Sequence, residues 1–155
     1  FTTLRPGASL TLRNRLGMVI YVPIEGTEQL DAAVMDVRVH YTASTPGVAR
    51  PDRLEVVLRI RNGSNVHIVP DGQVLVRNPE GETLYTLPLR SGWGLLPGEQ
   101  DRYYAIRSGV YLQPGRYRLV AALTYGDDVG QSSHLTSERE LSVDEAGAIQ
   151  QLPAP

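Results

Sequence analysis

Residues 53 to 61, RLEVVLRIR, alternate between apolar and polar positions. Leu54, Val56, Leu58 and Ile60 share one face, and Arg53, Glu55, Arg59 and Arg61 share the other with Val57 among them. Strict alternation of this kind marks a half-buried strand. In residues 116 to 125 the same period puts Tyr117, Leu119, Ala121, Leu123 and Tyr125 together, opposite Arg116, Arg118 and Thr124. Residues 34 to 42 group Val37, Val39 and Tyr41. Residues 73 to 78 and 82 to 89 flank Asn78-Pro79-Glu80-Gly81, whose Pro and Gly positions suit a type I turn, so a hairpin is predicted there. Residues 101 to 107 and 134 to 143 complete a set of seven short strands. Turn signals fall between the runs: Pro46-Gly47, Pro70-Asp71-Gly72, Pro97-Gly98, Pro114-Gly115 and Gly126-Asp127-Asp128. The pattern predicts an all-β antiparallel sandwich over residues 34 to 143. No helix is expected beyond one turn within residues 144 to 150, and the tail to residue 155 should fray.

Tyr117 sharpens this expectation. It opens a strand just after Pro114-Gly115. That is the setting of a tyrosine corner, in which the hydroxyl bonds back to the backbone where the chain crosses between sheets.

Residues 9 to 24, SLTLRNRLGMVIYVPI, stand apart. Leu16, Met18, Ile20, Val22 and Ile24 form one stripe, and Val19 and Tyr21 add apolar surface to the other face. A strand apolar on both sides belongs in the middle of a sheet, yet the seven later strands already complete a sandwich. The reading is therefore that residues 1 to 26 are the closing strands of a largely missing N-terminal domain. Residues 27 to 33 are a linker, residues 34 to 143 the sandwich, and residues 144 to 155 the tail.

Composition narrows the function classes. The chain has 155 residues and a net charge of −2, which gives no general attraction to nucleic acid or anionic membrane. It has no cysteine, so disulfides, thiolate zinc sites and cysteine nucleophiles are excluded. No apolar run approaches the roughly 20 residues of a membrane-spanning helix. All 15 basic residues are arginine, each able to fork onto a carboxylate or phosphate. Arg53, Arg59, Arg61, Arg116 and Arg118 point outward and are read as a cationic strip on one sheet, neutralised by Glu55, Glu80 and Glu82.

Candidate chemistry is sparse. His40, His67 and His134 lack ligand spacing, and Asp127-Asp128 lacks the further oxygens of a calcium loop. Ser91-Gly92-Trp93-Gly94 is followed by no helix, unlike a hydrolase nucleophile. Asn62-Gly63-Ser64 matches a glycosylation sequon but reads better as a strand-end corner held by Asn65 and His67. No catalytic residue, metal site or cofactor is expected. Trp93, on a loop, either caps the core or offers an aromatic platform with Tyr103, Tyr104 and Tyr111.

The stretch RLGMVIYVPIEGT, a short linker and a second sandwich resemble the domain junction of periplasmic pilus chaperones of the PapD-like kind. Within the second part, NGSNVH, LLPGE and LQPGRY resemble the corner, turn and strand opening of bacterial surface immunoglobulin-like domains. The resemblance implies an immunoglobulin-like fold and a periplasmic or extracellular location in a bacterial cell envelope. It also implies a protein partner bound by strand pairing through Leu16, Met18, Ile20 and Val22. The family's basic carboxylate anchor includes a lysine, which this chain lacks. The competing reading is an adhesive or carbohydrate-binding domain that uses Trp93, Tyr103, Tyr104 and Tyr111.

The run at residues 16 to 24 generates a direct expectation. A strand with apolar faces and unpaired backbone groups invites edge pairing, here as a homodimer. Sedimentation should show self-association that Ile20→Lys suppresses, with melting of the sandwich nearly unchanged. A monomer at high concentration, unfolded throughout by Ile20→Lys, would make the strand part of the sandwich instead.

Overall fold

The computed structural model describes residues 26–43, 52–90, 92, 94–126 and 130–152. Its elements are β1 (Ala32–Thr42), β2 (Arg53–Asn62), β3 (Val69–Arg77), β4 (Thr83–Pro88), β5 (Gln100–Ser108), β6 (Gly115–Gly126), β7 (Ser132–Val143) and β8 (Ile149–Gln151). They form two antiparallel sheets, ordered β1-β2-β5 and β4-β3-β6-β7-β8. Consecutive pairs β2–β3, β4–β5 and β5–β6 each change sheets, the connectivity of a Greek-key sandwich. Relative to the seven-strand immunoglobulin arrangement, the fourth strand has moved across to flank the third. The run at residues 16 to 24 lies outside the described residues.

The alternation of β2 places Leu54, Val56, Leu58 and Ile60 in the core, each 0% exposed. Leu119, Ala121, Leu123 and Tyr125 of β6 meet them from the other sheet, with Val74, Val76, Leu87 and Leu141 closing the layer. Tyr117 is only partly buried, because its hydroxyl donates to the Gln113 carbonyl at 2.8 Å. This is the tyrosine corner that the sequence predicts.

Two segments depart from the sequence reading. Pro70-Asp71-Gly72 is not a turn but the start of β3, paired with Tyr125, Thr124 and Leu123 of β6. Proline is tolerated there because β4 pairs with β3 only from Gln73 onward, so at Pro70 the strand is an edge. Gly72 has φ +137°, and a Cβ would strike the Ala122 carbonyl oxygen. Glycine at this position thus serves a close approach of two strands. Within residues 144–152 a tight turn and β8 stand where the sequence predicts one turn of helix and the start of a frayed tail. The Asp144 side chain accepts from the backbone N–H groups of Ala146 and Ala148, and Ile149–Gln151 then pairs with β7. The Asn78–Gly81 turn closes as predicted, with Gly81 N–H donating to the Asn78 carbonyl at 3.0 Å.

Leu58 and Leu119 are 0% and 2% exposed and sit on facing sheets. Replacing either with Ala should lower stability by about 2–5 kcal/mol, measured by chemical denaturation. A loss below about 1 kcal/mol at both would contradict this core.

Candidate functional site

The outward face of the three-stranded sheet collects charge. Its cross-strand rows read Asp36–Arg59–Arg102, Arg38–Val57–Tyr104 and His40–Glu55–Ile106. Arg61 lies between Ala33 and Gln100. Each β2 member of these rows is one residue out of phase with the core set, so the strand period itself aims them at solvent. Five arginines, 38, 53, 59, 61 and 102, share this face with two carboxylates, Asp36 and Glu55.

Those carboxylates are already engaged. Asp36 accepts from Arg38 Nε at 3.0 Å and Glu55 from Arg53 at 2.9 Å. Asp101, at the rim, accepts from the Arg102 backbone N–H at 2.7 Å. Among the described residues Arg59, Arg61 and Arg102 have no ion pair. Arg59 also stands directly across from Arg102, an arrangement that opposes folding when uncompensated. Val57 forms the floor of a depression walled by Asp36, Arg38, Arg59 and Arg102. It is only 9% exposed despite facing outward, because long arginine stems cover apolar surface. Tyr104 borders a wider depression beside Arg59 and Arg102 and is 38% exposed.

The cationic strip expected on one sheet is divided between two. Arg53, Arg59 and Arg61 lie on β2, whereas Arg116 and Arg118 lie on β6 of the other sheet. Alternation gives a residue's facing but not its sheet. The counter-charges also differ. Arg118 approaches Glu138 and Glu140, and Glu82 accepts from the Asn78 amide.

The four aromatic candidates do not form one platform. Tyr103 points inward, 2% exposed, against Gly92. Its neighbour Tyr104 faces out by strand period alone. Tyr111 sits at the far end of the sandwich on the β5–β6 loop, 65% exposed. Trp93 lies outside the described residues, as do Leu16, Met18, Ile20 and Val22. The Tyr111 loop is held by hydroxyls: Tyr85 donates to the Tyr111 carbonyl at 3.0 Å and accepts from its N–H at 3.2 Å. Arg107 lies over the Tyr85 ring at 5.5 Å.

The corner at residues 62–68 is structural. Asn62 is buried, and its amide donates to the Val66 and Leu95 carbonyls at 2.8 and 2.9 Å. A nitrogen so committed cannot carry a glycan. Asn65 ties down the preceding segment, accepting from Gln29 N–H and donating to the Thr27 carbonyl, both at 2.8 Å. The His67 ring lies so close to Gly94 that no side chain would fit there. His40 and His134 are on β1 and β7. Among the described residues no group of three metal-ligating side chains converges, and no helix is long and apolar enough to cross a membrane. No protein-family model matches the chain, and a search of curated proteins finds no match.

Burial pushes the Tyr103 phenol up to about 12, reinforced by Asp101 and Glu99. Burial also raises Tyr41 and Tyr117. Below about pH 10 the phenols are protonated in both folded and unfolded chains. Between there and about 12 the unfolded chain loses the Tyr103 proton while the folded domain retains it. Stability should therefore fall across that window. Melting measured at both ends should show a smaller drop for Tyr103→Phe than for the parent. An equal drop would mean that Tyr103 ionises normally.

Proposed function

We propose that this chain is a non-catalytic immunoglobulin-like module of a bacterial cell envelope that binds another protein. The observation that carries the reading is the trio Arg59, Arg61 and Arg102, without ion pairs among the described residues, on the face that also holds Tyr104 and Val57. Arginine and tyrosine dominate the energetic centres of protein interfaces. The envelope location rests on the resemblance to exported immunoglobulin-like domains.

The chemistry of the face specifies its partner. Arg59 and Arg61 are two residues apart on one strand, a repeat of roughly 6.6–6.8 Å. Alternate side chains of an extended peptide share that repeat. An extended segment with acidic residues at every second position therefore presents carboxylates to both guanidinium forks. Its backbone and the stems of those acidic side chains would cover Val57 and Tyr104. Three of the described edges are less suited to taking an added strand than β1, the eleven-residue edge of the three-stranded sheet. β8 has three residues, β4 ends at Pro88, and Leu89 bridges to Ala105 on the outer side of β5. Strand pairing through Leu16, Met18, Ile20 and Val22 remains the form of the proposal that the sedimentation experiment tests. The adhesive reading is favoured by one observation, the exposure of Tyr111 on a loop fixed by Tyr85.

A fluorescent twelve-residue peptide alternating Glu and Thr, titrated at low and physiological salt, tests the face. Binding should weaken with salt. Replacing Arg59 and Arg102 together with Ala should weaken it at least tenfold, about 1.4 kcal/mol. Unchanged affinity in that double variant would overturn the assignment. Loss in Tyr111→Ala instead would move the contact to the loop end.

A further inference from the structure

The outward face of the five-stranded sheet holds a second cluster, at the end where β3 turns into β4. Arg77 stands directly across from Arg118, and Arg116 lies two residues before Arg118 on the same face. With Pro79, Tyr117 and Glu140 they line a cleft of about 180 Å³, rimmed by Asn78 and Gly81. Roughly 30 Å³ is one water's share of the liquid, so the cleft admits a compact group rather than a drug-sized ligand.

The cations here are under-compensated. Arg118 meets Glu138 and Glu140 only at 3.9 and 3.8 Å, beyond hydrogen-bond distance, and all three side chains are about half exposed. Such pairs contribute little. Arg77 Nε is buried and has no hydrogen-bond partner. A buried donor in that state is rare in native folds and requires an explanation. Two guanidiniums side by side across a ladder also repel.

The cleft walls are fixed before any ligand arrives. The Asn78 amide donates to Glu82 Oε2 at 3.0 Å, and its carbonyl accepts from the Glu82 N–H at 2.8 Å. Tyr117 turns its side chain to the core face, where its hydroxyl donates to Gln113, so its ring is not part of this outward surface. The recognition elements are thus the guanidinium forks and the apolar surface of Pro79, with the Glu140 carboxylate, directly across from Arg118, also in the lining. We propose that Arg77, Arg116 and Arg118 form a binding site for a compact organic carboxylate carried on a small ring, the chemistry of an acidic sugar. The forks engage the carboxylate edge and the ring lies against Pro79. This site is on the opposite sheet from the protein-binding face and stands independently of it.

The experiment follows backbone amide shifts of the whole chain by NMR. D-galacturonate, D-galactose and inorganic phosphate are titrated separately at constant ionic strength. Galacturonate should shift Arg77, Asn78, Gly81 and Arg118, whereas galactose, with the same ring and no carboxylate, should leave them in place. Replacing Arg77 and Arg116 together with Gln should weaken galacturonate at least tenfold while the rest of the spectrum shows the fold intact. Should that variant fail to fold, Arg116→Gln alone, at an exposed position, serves the same comparison with at least a threefold loss. Equal shifts from galactose and galacturonate, shifts from phosphate alone, or an unchanged response in the folded variant would each overturn the proposal.

Discussion

The buried side chain of Asn62 governs how the chain passes between its two sheets. Asn62 ends β2, and the next strand belongs to the other sheet. Its amide reaches the carbonyls of Val66 and Leu95, and its carbonyl oxygen accepts from Ser64 N–H at 2.7 Å. Its backbone N–H and carbonyl pair with Glu99 and Gly98. Every polar atom is therefore used, and two loops far apart in sequence are joined at one point. In a low-dielectric interior a network so complete is rigid, and removal of one partner leaves the others unpaired. The segment before β1 depends on this corner. Ser64 Oγ accepts from Asp31 N–H and donates to the Asp31 carbonyl, and Gly63 N–H donates to that same carbonyl. A Cβ on Gly63 would run into the Asp31 carboxylate, so glycine is the residue that lets the two segments touch.

The opposite end of the sandwich solves the same crossing problem with phenols. Between β5 and β6 the chain again changes sheets. Tyr85 and Tyr117 bond to the backbone of that connection, and Tyr41 donates to Asp52. An aromatic ring fills the end of the core while its hydroxyl satisfies a loop carbonyl, which neither a leucine nor a serine achieves alone. With both crossings held from within, the outward faces carry no structural duty and are free to concentrate charge.

The strands were legible because period-two alternation is written directly in residues such as Leu54, Val56, Leu58 and Ile60. The tyrosine corner was legible because Pro114-Gly115 fixes where Tyr117 begins its strand. What escaped the sequence was anything set by pairing. Pro70-Asp71-Gly72 resembles a turn locally, but β6 supplies a partner and β4 leaves an edge at that level. Ile149–Gln151 is too short to announce itself and exists because Asp144 closes the turn before it. Tyr103 and Tyr104 are adjacent in sequence and were grouped as ligand-binding residues. Strand geometry sends one to the core and the other to solvent. Arg59 and Arg118 are legible as outward residues, but Arg102 and Arg77 as their cross-strand neighbours required the register.

That pairing bears on why the charges are where they are. The chain has 17 acidic residues against its 15 arginines, so carboxylates are not scarce. Like charges opposed on a ladder work against folding, and the register places Asp36 beside Arg59 and Glu140 beside Arg118, yet neither carboxylate hydrogen-bonds that arginine. At Arg53 and Arg38 the acids come closer, with Glu55 and Asp36 within 3.0 Å. At Arg59 and Arg102 no ion pair forms among the described residues, and at Arg77 and Arg118 the nearest acids stop at 3.8 Å. Among the described residues the same sheets thus contain arginines hydrogen-bonded to a carboxylate and arginines that are not. The second kind lie around Val57 and beside Pro79, where apolar surface adjoins the cations. Guanidiniums crowded together without a hydrogen-bonded carboxylate carry an electrostatic penalty that an incoming carboxylate reduces, and that reduction adds to the affinity of whatever supplies it.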